Sequence, residues 1–326
     1  MKKILTIIAL SVTSLVTFSQ QDAQFSMNMF NRLSINPGYA GTNKALCGVL
    51  LYRQQWNNFP GAPKTFLFSA DYGEILHGGL GLTVDQDALG FDKTFKAKAG
   101  YSFHQILGPG MLGVGLDVGM IQKSLSGNFV APDGSTTSTG GGVDAAIPWN
   151  GAKNTTYDLG LGLYYTTLND KLYVGISSLH LTQSDVKKAG KTTPTYVGQP
   201  AYAWSYDYVE ARHYYVMAGY RLDLNPKFAL TPSVLVKSDG ASTQFDINAL
   251  AKWNQMVFLG VSYRMSDAVV AIVGLEWHGI KFGYSYDVTT STIKTQSNGT
   301  HEIMLGYCHK FIKPVKKHGH QNERFL

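Results

Sequence analysis

The chain has 326 residues, 44% apolar, 12% aromatic and only 15% charged, with 35 glycines and a formal charge of +6. This much apolar content excludes an intrinsically disordered chain, and a mean hydropathy of -0.08 excludes a bundle of membrane helices. The charge sits at the ends: Lys2 and Lys3 precede the body, five basic residues against Glu323 follow it, and residues 20–309 hold 21 basic and 21 acidic side chains. A neutral body has no basic stripe to follow a phosphate backbone, so nucleic acid is not expected as a partner.

In chain order, Met1-Lys2-Lys3 and an apolar stretch from Ile4 to Phe18 read as a secretory signal (residues 1–19), too short to span a membrane as a helix. Residues 20–43 follow as an N-terminal periplasmic or lumen segment. There Phe25, Met29 and Leu33 recur at helical spacing beside Met27 and Phe30, which predicts a short helix; a loosely ordered leader stays open as the alternative. Asn36-Pro37-Gly38 would end the helix, because proline disfavours helix in the residue before it and glycine permits a turn.

From residue 44 to 311 the pattern changes to period 2. Leu112, Val114, Leu116 and Val118 alternate with Gly113, Gly115, Asp117 and Gly119, and Tyr157, Leu159, Leu161 and Leu163 with Asp158, Gly160 and Gly162. Segments of this kind begin near Lys44, Lys64, His77, Lys93, Met111, Thr155, Lys171, Arg212, Lys227, Thr243, Met256, Ala268, Gly279 and His301. About 14 strands, an even number, predict an all-β transmembrane antiparallel up-and-down barrel in outer-membrane lipid. The connections sort by length. Residues 54–63, 85–92, 123–154, 182–211 and 288–300 lie on one side, and short turns such as 73–76, 168–170 and 223–226 on the other. Long external loops and short periplasmic turns are the asymmetry of such barrels. A basic tail, residues 312–326, would then lie in the periplasm.

Within this frame Trp56, Phe59 and Pro60 form an apolar tip on the first external loop, with Arg53, Gln54 and Gln55 beside it. Aromatic residues with Arg are the types found at binding hot spots; the alternative is a loop that folds inward and constricts the pore. Cys47 lies near the start of the first strand and Cys308 near the end of the last, both at lumen parity, so a closed barrel would bring them together across its seam. Export reaches a compartment where they could bond.

No catalytic constellation assembles. The chain lacks Gly-x-Ser-x-Gly, His-Glu-x-x-His and Cys-x-x-Cys, and its Gly-x-Gly pairs lie within strands as small lumen-facing residues. Asp85, Asp87 and Asp92 resemble part of a calcium loop but read better as a solvated acidic turn, and the nine histidines make no ligand cluster. No enzyme activity, cofactor or metal is expected.

Three stretches are not explained by barrel physics: Gln21 to Ser26, Asn36-Pro37-Gly38-Tyr39-Ala40-Gly41, and Arg53-Gln54-Gln55-Trp56 through Gly61-Ala62-Pro63-Lys64-Thr65. In this order and spacing the chain resembles the PorP/SprF family of type IX secretion proteins of Bacteroidetes. The resemblance implies a non-catalytic outer-membrane barrel of the secretion and gliding machinery. Its implied partners are a secreted adhesin, other type IX secretion components, or periplasmic ring proteins met through the N-terminal segment or the C-terminal tail. Phe25, Asn36, Pro37, Arg53, Gln54, Gln55, Trp56, Phe59 and Pro60 are the candidate partner or lumen contacts. A passive porin or substrate-specific channel is the alternative.

Overall fold

A computed structural model describes residues 22–125, 152–191 and 203–311, and side chains throughout these except 185–191 and 203–207. Its strands are β1 (Leu46–Gln54), β2 (Lys64–Ile75), β3 (Gly78–Leu89), β4 (Asp92–Leu107), β5 (Gly110–Leu125), β6 (Ala152–Thr167), β7 (Leu172–Leu179), β8 (Asp185–Lys191), β9 (Ala203–Val209), β10 (His213–Tyr220), β11 (Leu222–Asn225), β12 (Phe228–Ser238), β13 (Thr243–Trp253), β14 (Val257–Arg264), β15 (Ala268–Trp277), β16 (Ile280–Thr289) and β17 (Thr300–His309). β8 and β9 form a separate hairpin, and β11 continues the line of β10 past Arg221. The rest is one closed antiparallel barrel of 14 strands. It closes where β1 meets β17, from Leu46 opposite His309 to Gln54 opposite His301. β7 pairs β10 across the hairpin insertion, and β10 pairs β12.

The faces are inverted relative to a water-soluble sheet. Along β15, Val269, Val273 and Leu275 point outward while Ala268, Val270 and Ile272 are buried. Outward positions elsewhere carry Leu50, Phe66, Val114, Leu161, Leu259, Phe282 and Leu305. Inward positions carry Asp71, Lys96, Lys98, Asp117, Asp158, Asp246, Arg264, Asp287 and Glu302, all buried. An apolar exterior around a polar interior is stable only when lipid covers the outside. No helix among the described residues is long and apolar enough to cross a membrane.

Several expectations are corrected. Residues 85–92 are not a loop: β3 and β4 run through this stretch and meet at Gly90-Phe91, where Gly90 takes the left-handed φ of 58° that a tight turn requires. Asp87 accepts from the Thr65 hydroxyl at 2.6 Å and Asp92 from Lys123 at 3.2 Å, so the acids stabilise the barrel wall. The long connection after β7 contains the β8–β9 hairpin. The helix expected over residues 24–33 is a single 3-10 turn, Asn28–Phe30. Here the backbone N–H groups of Ser26 and Met27 donate to the Glu302 carboxylate, not to a carbonyl of their own turn. With these donors satisfied by the wall, the segment follows the shape of the lumen.

Candidate functional site

The site is the lumen and the N-terminal segment that occupies it. Residues 22–45 run down the inside of the barrel from the long-loop end to the short-turn end and continue into β1. The apolar side chains that suggested a helix instead fill wall pockets. Met27 and Met29 are buried with Leu51, Leu67, Phe258, Val270, Ile272 and Met304, and Phe25 and Phe30 pack against that cluster. Full burial of such a side chain is worth roughly 1.5–3 kcal/mol.

At the long-loop end the segment is held by charge. Arg53 is fully buried and donates to Glu302 (3.0 Å), Asp287 (2.9 Å) and the Ser26 hydroxyl (2.7 Å). Glu302 also accepts the Ser26 and Met27 amides, each at 2.8 Å. Arg264 donates to Asp287 from the other side at 3.2 Å, and Gln24 donates to Asp246 at 3.0 Å. A second cluster surrounds Asp22. Its carboxylate meets the Lys96 ammonium, His180 Nε2 at 3.1 Å and the Tyr215 hydroxyl at 2.9 Å. The Asp22 amide donates to His213 Nε2, and Lys237 donates to the Asp22 carbonyl. His180 Nδ1 is bound to Asp158 at 2.7 Å. Burial pushes the His180 imidazole down, but Asp22 and Asp158 outweigh it and hold the pKa up at about 9. Burial would raise Glu210, yet Lys96 and His180 bring it down to about 2.

Asp22, His180 and His213 therefore correct the view that the histidines form no ligand cluster. Their ligand atoms lie within 4.8 Å of one another. Lys96 already supplies a cation there, bonded to Asp22 and 3.3 Å from His180 Nε2, so the geometry fits a lysine-neutralised ion network better than a metal centre.

At the short-turn end the segment is held by backbone fit. The Asn36 side chain accepts from the Gly38 amide and starts the 3-10 turn Pro37–Tyr39. Its amide nitrogen donates to the carbonyls of Leu163 and Ile176. Pro37 and Gly38 lie directly on wall glycines. A Cβ at Gly115 would fall 2.2 Å from the Pro37 carbonyl carbon, and one at Gly113 would fall 2.2 Å from the Gly38 oxygen. The glycine-rich strand pattern thus makes room for the plug.

The remaining expected residues divide. The Gln54 side chain bonds Asn57, and the Gln55 amide bonds the Pro63 carbonyl across the loop base. Trp56 is half-buried, with its amide on the Thr300 hydroxyl, while Phe59 and Pro60 are exposed. Asn57 exchanges backbone bonds with Gly299 and Asn298, so the first loop rests on the loop before β17. Only Arg53 of this group reaches inward. Cys47 lies opposite Cys308, and the two form a disulfide with Cα atoms 4.1 Å apart. Residues 126–151, 192–202 and the tail from 312, including His318 and His320, lie outside the described residues. The sequence marked Ser26 only as the end of the Gln21–Ser26 stretch and did not single out Asp287, Glu302 and Arg264 as its partners. The signal available for the last three was a charged side chain at lumen parity in an otherwise apolar-alternating strand.

The sequence profile described as type IX secretion system membrane protein PorP/SprF matches residues 17–307. The chain belongs to the PorP/SprF family. It is an outer-membrane protein of type IX secretion. No curated protein matches the sequence. Similar solved structures include a Pseudomonas aeruginosa FadL homologue, at 11% identity with 85% of this chain and 93% of that chain covered (TM-score 0.47). The Ralstonia pickettii toluene transporter TbuX is 12% identical, with 86% and 93% covered (TM-score 0.49). KdgM porin is 10% identical, with 80% and 98% covered (TM-score 0.36).

Proposed function

We propose that this PorP/SprF protein is a non-enzymatic part of the type IX secretion and gliding machinery. It supports secretion or surface attachment of a partner adhesin, contacts periplasmic components of the machine, or does both. The observation that supports a secretion role over a passive pore is the filled lumen: residues 22–45 occupy it, with a buried ion-pair cluster closing the long-loop end. A porin needs a continuous water path, and this plug obstructs one. Phe59 and Pro60 on the first external loop are the proposed contacts for a surface partner. The leader, residues 1–19, serves as the export signal, and the basic tail is the proposed periplasmic contact. The test is purification from native outer membrane, with identification of co-purifying proteins and conductance in planar bilayers. Recovery of a surface adhesin or secretion components with a silent bilayer is expected. Steady ion conductance without any such partner would overturn the reading in favour of a channel.

A further inference from the structure

The plug does not fill the barrel evenly. Beside its lower half, toward the short-turn end, lies a cavity of about 330 Å³, at the lower end of the roughly 300–1,000 Å³ typical of ligand sites. Its mouth carries Lys171, Arg221, Lys252 and Lys281. These cations are matched by acids: Lys171 and Arg221 pair with Asp223, and Lys252 and Lys281 with Glu276. The inner wall carries the aromatic side chains of Phe30, Tyr39, Tyr164, Tyr173 and Phe258, beside polar Ser69, Thr231 and Ser233.

Arg32 of the plug faces this space. Its guanidinium lies 3.8 Å from the centre of the Tyr173 ring and donates once, to the Tyr164 hydroxyl at 3.0 Å. Its Nε is buried with no acceptor. Among the described residues no carboxylate pairs with it. Asp71, which also lines the cavity, instead accepts the Gly41 amide. An arginine fork has five donors and matches a carboxylate in shape as well as charge. A cation in a semi-enclosed site with one neutral acceptor is incompletely satisfied, and a bound anion would remove that deficit.

We propose that this cavity is a binding site for an organic carboxylate with an apolar or aromatic body, entering from the periplasmic mouth. Arg32 receives the carboxylate, and the Tyr39, Tyr164, Tyr173 and Phe258 wall receives the body. The site stands independently of the secretion role. A small free acid and the C-terminal carboxylate of a polypeptide share this chemistry.

The test is calorimetric titration of the full mature protein in nanodiscs with 4-phenylbutyrate and with its neutral amide. One site is expected, with the acid at least tenfold tighter than the amide. Arg32→Gln should abolish that preference while leaving amide binding in place, and Arg32→Lys should retain part of it. Retained heat-modifiable gel mobility establishes that each variant is a folded barrel. Equal affinity for acid and amide, no binding of the acid, or an unchanged preference in folded Arg32→Gln would overturn the proposal. Competition by a hydrophobic peptide with a free C-terminus, but not by its C-terminal amide, would support the site and identify a chain end as the source. Failure of both peptides beside binding of phenylbutyrate would support it as a small-acid site.

Discussion

Arg53→Leu is the most direct probe of how the plug is held. The side chain is buried and joins Glu302, Asp287 and Ser26 in one cluster. Its loss affects the two acids unequally. Asp287 keeps Arg264 at 3.2 Å and the Ser26 hydroxyl, whereas Glu302 loses the one cation bonded to it among the described residues and keeps two backbone amides. Removing one partner of a buried ion pair costs about 3–5 kcal/mol, chiefly through the charge left behind. The remaining donors on both acids place the expected loss near the lower figure, about 3 kcal/mol. Urea unfolding of the folded barrel in detergent should show the loss as a lower midpoint. Hydrogen exchange at residues 24–30 should rise far more than exchange in β4 and β5. Adding Glu302→Gln should recover part of the loss, because the stranded charge is then gone. An unchanged midpoint with residues 24–30 still protected would refute the idea that this cluster holds the outer half of the plug.

Three further outcomes follow from the same geometry. Cys47→Ser, or reduction of the folded protein, opens a covalent loop of 261 residues; the chain-entropy relation sets an upper limit of about 5.6 kcal/mol, and about 2–4 is the common range, measurable as a lower urea midpoint with the folded gel mobility retained. Gly115→Val places a branched side chain where a single Cβ already falls 2.2 Å from Pro37; overpacking of at least about 1–3 kcal/mol should displace Pro37–Tyr39 and raise exchange there, whereas Gly48→Val, where a Cβ comes no nearer than 3.8 Å to any neighbour, should not. His180 gives a pH signature with a defined sign: its folded pKa of about 9 lies above the unfolded value of 6.5, so its contribution is complete below pH 6.5 and fades as pH rises through 9. A decline in stability between pH 6.5 and 9.5 that persists unchanged in His180→Gln would assign the effect to another group.

The barrel was readable from sequence because its determinants are local. Alternation placed the strands within three residues of where they begin, the largest discrepancy being Ala152 for an expected Thr155. The same parity put Cys47 and Cys308 on the inner face, and chain order set them opposite each other. The plug was only half readable. Phe25, Asn36 and Pro37 were marked as unusual, yet a short apolar run with spacings of three and four fits a helix as well as a chain lining a cavity. Its path is set by partners more than 200 residues away, such as Asp287 for Ser26 and Glu302 for Met27. A lumen-facing acid can be recognised from its strand, but nothing in its neighbours identifies the residue it meets across the barrel. Arg53 shows the same limit: its place beside an aromatic loop suggested the surface, and its partners Glu302 and Asp287 lie far along the chain.

The two halves of the plug are held by different physics, and this constrains how it could move. The lower half, Asn36 to Gly41, is fixed by backbone contact with glycines in β3, β5 and β6 and by neutral amide bonds. It then runs into β1, which the disulfide ties to β17. Moving it requires parting the wall itself. The upper half, Asp22 to Met27, is fixed by ion pairs and charge-assisted bonds to β4, β10, β12, β14, β16 and β17. Those contacts can break without any change in strand register. Opening should therefore begin at the long-loop end and stop near Asn36, leaving the Arg32 cavity walled by the lower half of the plug.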